Sequence, residues 1–228
     1  MKWLTPSGLV AACAVGAGVG LGLGWHGLVL LAAFLVSGSV LTQLAERRSP
    51  YRTVRQVLAN GGVAAFAALL GSWPAAAGAI AAATADTWAT EIGAFSPFAP
   101  RLITSGRRVT RGTSGGITLL GTLGAAAGAV AMAWLTRALA PQGAAPALAI
   151  VAGAGVAGML ADSLLGATLQ GKYECPGCDA RFERATTVCH EPVRLTKGWR
   201  WLDNDAVNLA ATVVGAGVCL LGSHASLR

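Results

Sequence analysis

Apolar windows long enough to cross a bilayer recur along the chain, near residues 6–24, 26–45, 56–72, 74–95, 113–136, 146–170 and 204–222. About twenty apolar residues suffice to span roughly 30 Å of hydrocarbon as a helix. Backbone in hydrocarbon must satisfy its own N–H and C=O groups, so windows of this length have to be helical. The chain therefore reads as an all-α polytopic membrane protein, one helical bundle over residues 1–228 with about seven transmembrane helices. Composition agrees: with 54% hydrophobic and 12% charged residues there is too little polar surface to cover a soluble globule. The 31 glycines would fill a soluble core poorly, but in a membrane they let helix backbones approach closely. The Met1-Lys2-Trp3 start leads into an apolar run with no convincing cleavage site and is read as a retained first helix.

The charged residues lie between these windows, so the net charge of +7 speaks for topology and not for nucleic acid. The charged loops are 46–55, 96–112 and 171–203. If they share a side with the N-terminus, 15 of the 17 Lys and Arg lie inside, Arg137 and Arg228 being the two outside. The positive-inside rule then selects an N-in, C-out arrangement. In a prokaryote this places the protein in the cytoplasmic membrane, with the polar loops in the cytoplasm.

Polar residues inside the windows fall in the same, cytoplasmic half. They are Asn60, Asp86 and Glu91, Asp162, and Asn204, Asp205 and Asn208. Ionisable groups at such depth are costly unless paired, hydrated or metal-bound, so their convergence from four helices argues for one inward-facing site. Asp86, Thr87 and Thr90 share a helical face, whereas Glu91 at i+5 points elsewhere unless the helix breaks before Gly93. Asp86 is then the better metal ligand, and Glu91 the secondary one unless it simply meets Arg101. Ala161-Asp162-Ser163 echoes Ala85-Asp86-Thr87 at the end of a helix that runs in the same direction, which predicts a two-carboxylate pocket. Asp205 and Asn208 stand three apart on one face, with Asp203 or Asn204 available as an N-cap. Oxygen ligands of this kind suit hard Mg²⁺, completed by substrate phosphates. Asn60 is either a metal or phosphate contact or an interhelical hydrogen-bonding residue.

The loop 96–112 carries Arg101, Arg107, Arg108 and Arg111, followed by Gly112, Thr113, Ser114, Gly115 and Gly116 where the fifth window begins. Glycine backbone N–H groups, a helix N-terminus and arginines together resemble a phosphate cradle, although GxxxxGK[ST] is absent. Anionic lipid head groups are the competing partner for these arginines. In the loop 171–203, Cys175 and Cys178 form a CxxC pair and Cys189-His190 follows, the ligand types of a small structural zinc knuckle.

Five motifs in order carry a resemblance to a known family. They are Gln56-Val57-Leu58-Ala59-Asn60-Gly61-Gly62, the stretch from Ala85 to Gly93 (ADTWATEIG), Arg111-Gly112-Thr113-Ser114-Gly115-Gly116-Ile117, Asp162-Ser163-Leu164-Leu165-Gly166-Ala167, and Asn204-Asp205-Ala206-Val207-Asn208. Spread over nearly the whole chain, they resemble the integral membrane family called domain of unknown function 92, which includes a plant phytyl-phosphate kinase. The resemblance implies phosphorylation of an isoprenoid monophosphate to the diphosphate by a nucleoside triphosphate, CTP, UTP or ATP. On that reading Mg²⁺ is held by Asp86, Asp162 and Asp205 or Asn208, and Arg107, Arg108 and Arg111 neutralise the transferred group. Glu91 supports the metal or orients an arginine. Two other activities fit the same residues: nucleotidyl transfer to a lipid phosphate, and cation-coupled transport. Transport requires a polar route to the outer face, where the chain is mostly Ala, Gly, Val and Leu.

Overall fold

The computed structural model describes residues 3–45, 51–177, 181–182, 187–188 and 191–225. Among them six helices carry the fold: α1 (Pro6–Leu44), α2 (Val54–Leu69), α3 (Trp73–Gly93), α4 (Leu119–Leu139), α5 (Leu148–Thr168) and α6 (Asn204–Ala225). Four of these, α1, α4, α5 and α6, are long and apolar enough to cross a bilayer. The difference between six helices and seven windows lies at Gly24, whose φ of 67° and ψ of −162° break the helical path inside the 39-residue α1. A β-carbon on Gly20 would stand 3.3 Å from Leu28, and one on Gly16 would stand 4.0 Å from it. In a straight helix those positions are about 12 and about 18 Å apart along the axis. The chain therefore folds back at Gly24 into two arms, 6–23 and 25–44, matching the first two windows. Positive φ at this reversal is available to glycine at little cost.

Helix starts follow local capping chemistry. The Thr53 hydroxyl accepts from the Gln56 N–H while the Thr53 N–H donates to the Gln56 side chain, a reciprocal box that opens α2. Ser72 caps α3, with Pro74 in its first turn, where the missing N–H costs no helical hydrogen bond. The fifth window begins its helix later than expected. Gly112 and Gly115 adopt φ of 84° and 80°, and Gly116–Ile117 forms a two-residue strand, β2, paired antiparallel with β1 (Arg101–Leu102). Thr118 then caps α4 through the Gly121 N–H at 3.0 Å. The glycine-rich stretch is a turn and strand ahead of the helix, not its N-terminus. Five short strands occupy 172–197: β3 (Lys172–Glu174) pairs with β4 (Arg181–Phe182) and β7 (Arg194–Lys197), and β5 (Thr187–Val188) with β6 (Glu191–Pro192).

Helix α3 packs against the five others. Ala76, Ala77, Ala79, Ala81, Ala82 and Ala85 are fully buried in it, because side chains this small let several backbones approach at once. A β-carbon on Gly158 would overlap Ala82 and press on the Ala211 carbonyl oxygen at 2.9 Å, so α3, α5 and α6 meet at one point. Gly78 and Gly215 bring α3 and α6 into backbone contact in the same way, whereas Gly217 faces open space. We expect Gly78→Ala to destabilise the purified protein by about 1–3 kcal/mol through overpacking, and Gly217→Ala to leave it unchanged. Thermal unfolding in detergent, run on both variants side by side, checks the pair.

Candidate functional site

The arms of α1 and the alternating directions of α2 to α6 bring the start of α1, the end of its second arm, the start of α2, the end of α3, the start of α4, the end of α5 and the start of α6 to one end of the bundle. A cavity of about 850 Å³ lies there, within the size range of ligand sites. From α1 to α3 it is lined by Thr42, Tyr51, Arg52, Gln56, Asn60, Asp86, Thr87, Thr90 and Glu91, and beyond them by Arg111, the turn 112–116, Asp162, Ser163, Asn204 and Asn208.

The packing of small residues sets the carboxylates level with one another. Asp86 and Asp162 each lie four residues beyond the contact of Ala82 with Gly158, on helices that run in the same direction. Helix α6 runs the opposite way, and Asn208 lies three residues before its contact residue, Ala211. One turn from a common crossing point, three oxygen-bearing side chains thus enter the same cavity. Helix α2 is fixed beside them by the Thr212 hydroxyl, which donates to the Ala59 carbonyl at 3.1 Å. Asn60 and Gln56, one turn apart, complete this wall, and the Asn60 amide donates to the Gln56 carbonyl at 2.9 Å.

Other sequence candidates sit elsewhere. Asp205 is buried but does not line the cavity; its carboxylate faces Arg55 Nε at 3.5 Å, and Arg55 also reaches Asp203 at 2.6 Å. Asp203 in turn accepts the Ala206 N–H at 3.1 Å, so it caps α6 and the site residues of that helix are Asn204 and Asn208. Arg107 and Arg108 are exposed and stand outside the cavity lining, because the hairpin formed by β1 and its neighbours carries them outward. Arg111 does line it, with its guanidinium donating to the carbonyls of Ala94 at 2.8 Å and Ser96 at 2.5 Å. It thereby closes the C-terminal end of α3, where carbonyls are left without helical partners. Gly115 rests on Ala167, and the Lys197 ammonium donates to the Ala167 carbonyl at 2.9 Å.

Glu91 is buried and shares the cavity with Asp86, although the helix continues through Gly93 without a break. It accepts from the Thr42 hydroxyl at 3.0 Å, while Arg101 turns away to the Gly106 carbonyl. Arg52, a residue the sequence reading leaves in a charged loop, lines the cavity as well. Burial lowers the pKa of its guanidinium and the nearby Glu91 carboxylate raises it. The signal that could have found Arg52 is the stripe Phe34, Gly38, Thr42 at helical spacing. Phe34 lies under the guanidinium at 5.1 Å, and a β-carbon on Gly38 would stand 2.6 Å from it.

The donor set of the Asp86 wall is all oxygen, two carboxylates and amides. Among the described residues no group of three or more His, Cys, Asp or Glu is placed to hold a metal by itself. Two carboxylates without a full protein cage match the habit of Mg²⁺, which keeps waters and takes substrate phosphates as further ligands. Of the residues proposed for zinc, Cys175 is buried after β3, and Cys178, Cys189 and His190 lie outside the described residues.

Comparison with known proteins agrees with the architecture. The pattern of the family Integral membrane protein DUF92 matches residues 1–216. An uncharacterized membrane protein of Methanocaldococcus jannaschii is 32% identical, covering 87% of this chain and 76% of its own length. Protein PGR of Arabidopsis thaliana is also 32% identical, over 83% of this chain and 78% of its own. The chloroplastic Protein VTE6 of the same plant is 26% identical over 96% of this chain, which spans 65% of that relative. No solved structure matches the chain. With a family match over nearly its full length, the chain belongs to the integral membrane family DUF92.

Proposed function

We propose that the cavity is the site of a Mg²⁺-dependent phosphotransferase that converts a prenyl monophosphate to its diphosphate at the expense of a nucleoside triphosphate, CTP, UTP or ATP. One observation carries the reading: Asp86, Asp162 and Asn208 stand one turn from a shared helix crossing and enter a cavity that also holds Arg52, Arg111 and a glycine-rich turn. Carboxylates beside guanidinium groups suit a charged ligand that brings its own cation. Membership of a family that includes a plant phytyl-phosphate kinase supports the choice of ligand.

In this reading an oxygen of the prenyl monophosphate attacks the terminal phosphorus of the nucleotide, the bond to the bridging oxygen breaks, and the nucleoside diphosphate leaves. The acceptor is already anionic at neutral pH, so the protein has to position and neutralise rather than supply a strong base. Asp86, Asp162 and Asn208 would hold Mg²⁺, which would supply positive charge to offset that of the phosphate groups. Arg111, fixed by two carbonyls, brings a positive charge to the cavity next to the 112–116 turn, and Thr113 and Ser114 of that turn line the same cavity. On the same reading the isoprenoid tail enters laterally from the leaflet at this end, which the positive-inside rule would make the cytoplasmic one. A transporter reading finds less support, since among the described residues the cavity lining includes none from the opposite end of the bundle.

Purified protein with geranylgeranyl or phytyl phosphate, Mg²⁺ and each nucleotide should yield the diphosphate by mass spectrometry, and chelation should abolish it. Absence of product across this panel would sink the reading, and a product carrying a nucleoside monophosphate would reassign the site to nucleotidyl transfer. Asp86→Asn and Asp162→Asn should each lower kcat by about 100-fold or more without shifting the melting temperature downward. Asp205→Asn should do the reverse, lowering the melting temperature by breaking the contact with Arg55 while kcat stays near that of the wild type. The two readouts on the three variants separate the wall of the cavity from its support.

A further inference from the structure

The cavity has a second wall with different chemistry. Among the described residues, Arg52 and Arg111 are its two cationic side chains, and the Arg111 guanidinium already serves the α3 carbonyls. Arg52 is fixed at its backbone and steered at its tip. Its N–H donates to the Trp3 carbonyl at 2.9 Å, and its own carbonyl accepts from the Thr5 N–H at 3.1 Å. Its guanidinium lies over Phe34 and in the gap left by Gly38, beside Thr87 of α3. One turn along, the Thr42 hydroxyl stands within donating distance of the Gly38 carbonyl at 2.9 Å and of Glu91 at 3.0 Å, its one proton shared between them. Phe34, Gly38 and Thr42 form a track on one face of α1 that presents a guanidinium and a carboxylate to the same space.

A guanidinium taken out of water needs an anion, and its planar fork matches phosphate oxygens as well as it matches a carboxylate. We propose that Arg52 is the subsite for a phosphate monoester, with Glu91 as the anion that balances it until the monoester arrives. The inference rests on the phosphotransferase reading and deepens it. It gives the acceptor phosphate to the α1 side of α3 and leaves the nucleotide phosphates to the wall of Asp86, Asp162 and Asn208. Lipid monophosphate and inorganic phosphate share this chemistry, and the tail alone distinguishes them.

The test measures binding to the purified full chain in detergent, without nucleotide or Mg²⁺. The probes are geranylgeranyl phosphate, the uncharged geranylgeraniol and inorganic phosphate, and a nucleotide with Mg²⁺ is titrated separately. Arg52→Gln should weaken geranylgeranyl phosphate by about 10- to 100-fold, the range of a lost charge-assisted contact, and leave the alcohol and the nucleotide unchanged. Arg52→Lys should recover part of the loss. Glu91→Gln should tighten the monophosphate by removing its competitor, an effect of opposite sign that a purely structural ion pair would not give. Should Arg52→Gln not fold, Gly38→Ala decides, because it keeps the charge but pushes the guanidinium out of its gap. Unchanged monophosphate binding in Gly38→Ala and Arg52→Gln, or an equal loss of nucleotide and monophosphate, overturns the subsite. Wild-type protein that binds inorganic phosphate through Arg52 but ignores the prenyl phosphate keeps the subsite and sinks the prenyl reading. Diphosphate formation with an unaltered KM in Arg52→Gln does the opposite.

Discussion

The structure depends on how closely three backbones approach where α3, α5 and α6 cross. In a bilayer the surrounding lipid is as apolar as the helix surfaces, so association draws on contact between atoms rather than on escape from water. Ala82, Gly158 and Ala211 supply that contact by having almost nothing to separate the helices. The same closeness fixes the positions of Asp86, Asp162 and Asn208, each one turn nearer the polar end. The chemistry of the cavity is thus set by residues that carry no chemistry of their own.

At that end the basic residues divide into separate tasks. Arg111 and Lys197 hold the carbonyls that end α3 and α5, Arg55 meets the acids that begin α6, and Arg107 and Arg108 face outward. Helix C-termini carry partial negative charge, so cations placed there stabilise the fold as well as bias its orientation. Arg52 shares the cavity with Arg111 but differs from all of these in resting its guanidinium on an aromatic ring. Counting positive charges bears on topology alone and does not tell these tasks apart.

The membrane bundle and its wall of acids were legible because they rest on local signals. Window length marks the spans, and the repeated Ala-Asp-Thr and Ala-Asp-Ser at the ends of two helices of equal direction mark the pocket. Asp205 and Asn208 look equivalent at i and i+3 until Arg55, far away in sequence, engages one of them. Arg107 and Arg108 belong to the same basic run as Arg111, and only the β1–β2 pairing separates which arginine turns inward. Sequence places the start of α4 too early because glycines at 112 and 115 fit a helix N-terminus as backbone N–H donors, whereas their positive φ keeps them out of the helix. Arg52 is hard to find in the sequence because its route into the cavity is a gap, and a missing side chain at Gly38 leaves little trace in a chain already rich in glycine.

The two arms of α1 meet across a single residue, Gly24, and this part of the bundle closes locally. The wall at the helix crossing is built differently, since its members run from position 86 through 162 to 208 and come from three separate helices. Closing such long loops restricts the chain more than closing short ones. A cation held by Asp86, Asp162 and Asn208 together, as proposed, would tie those distant segments to one another, and binding confined to the folded form would add to its stability. For this bundle an occupied site would also be a removable cross-link.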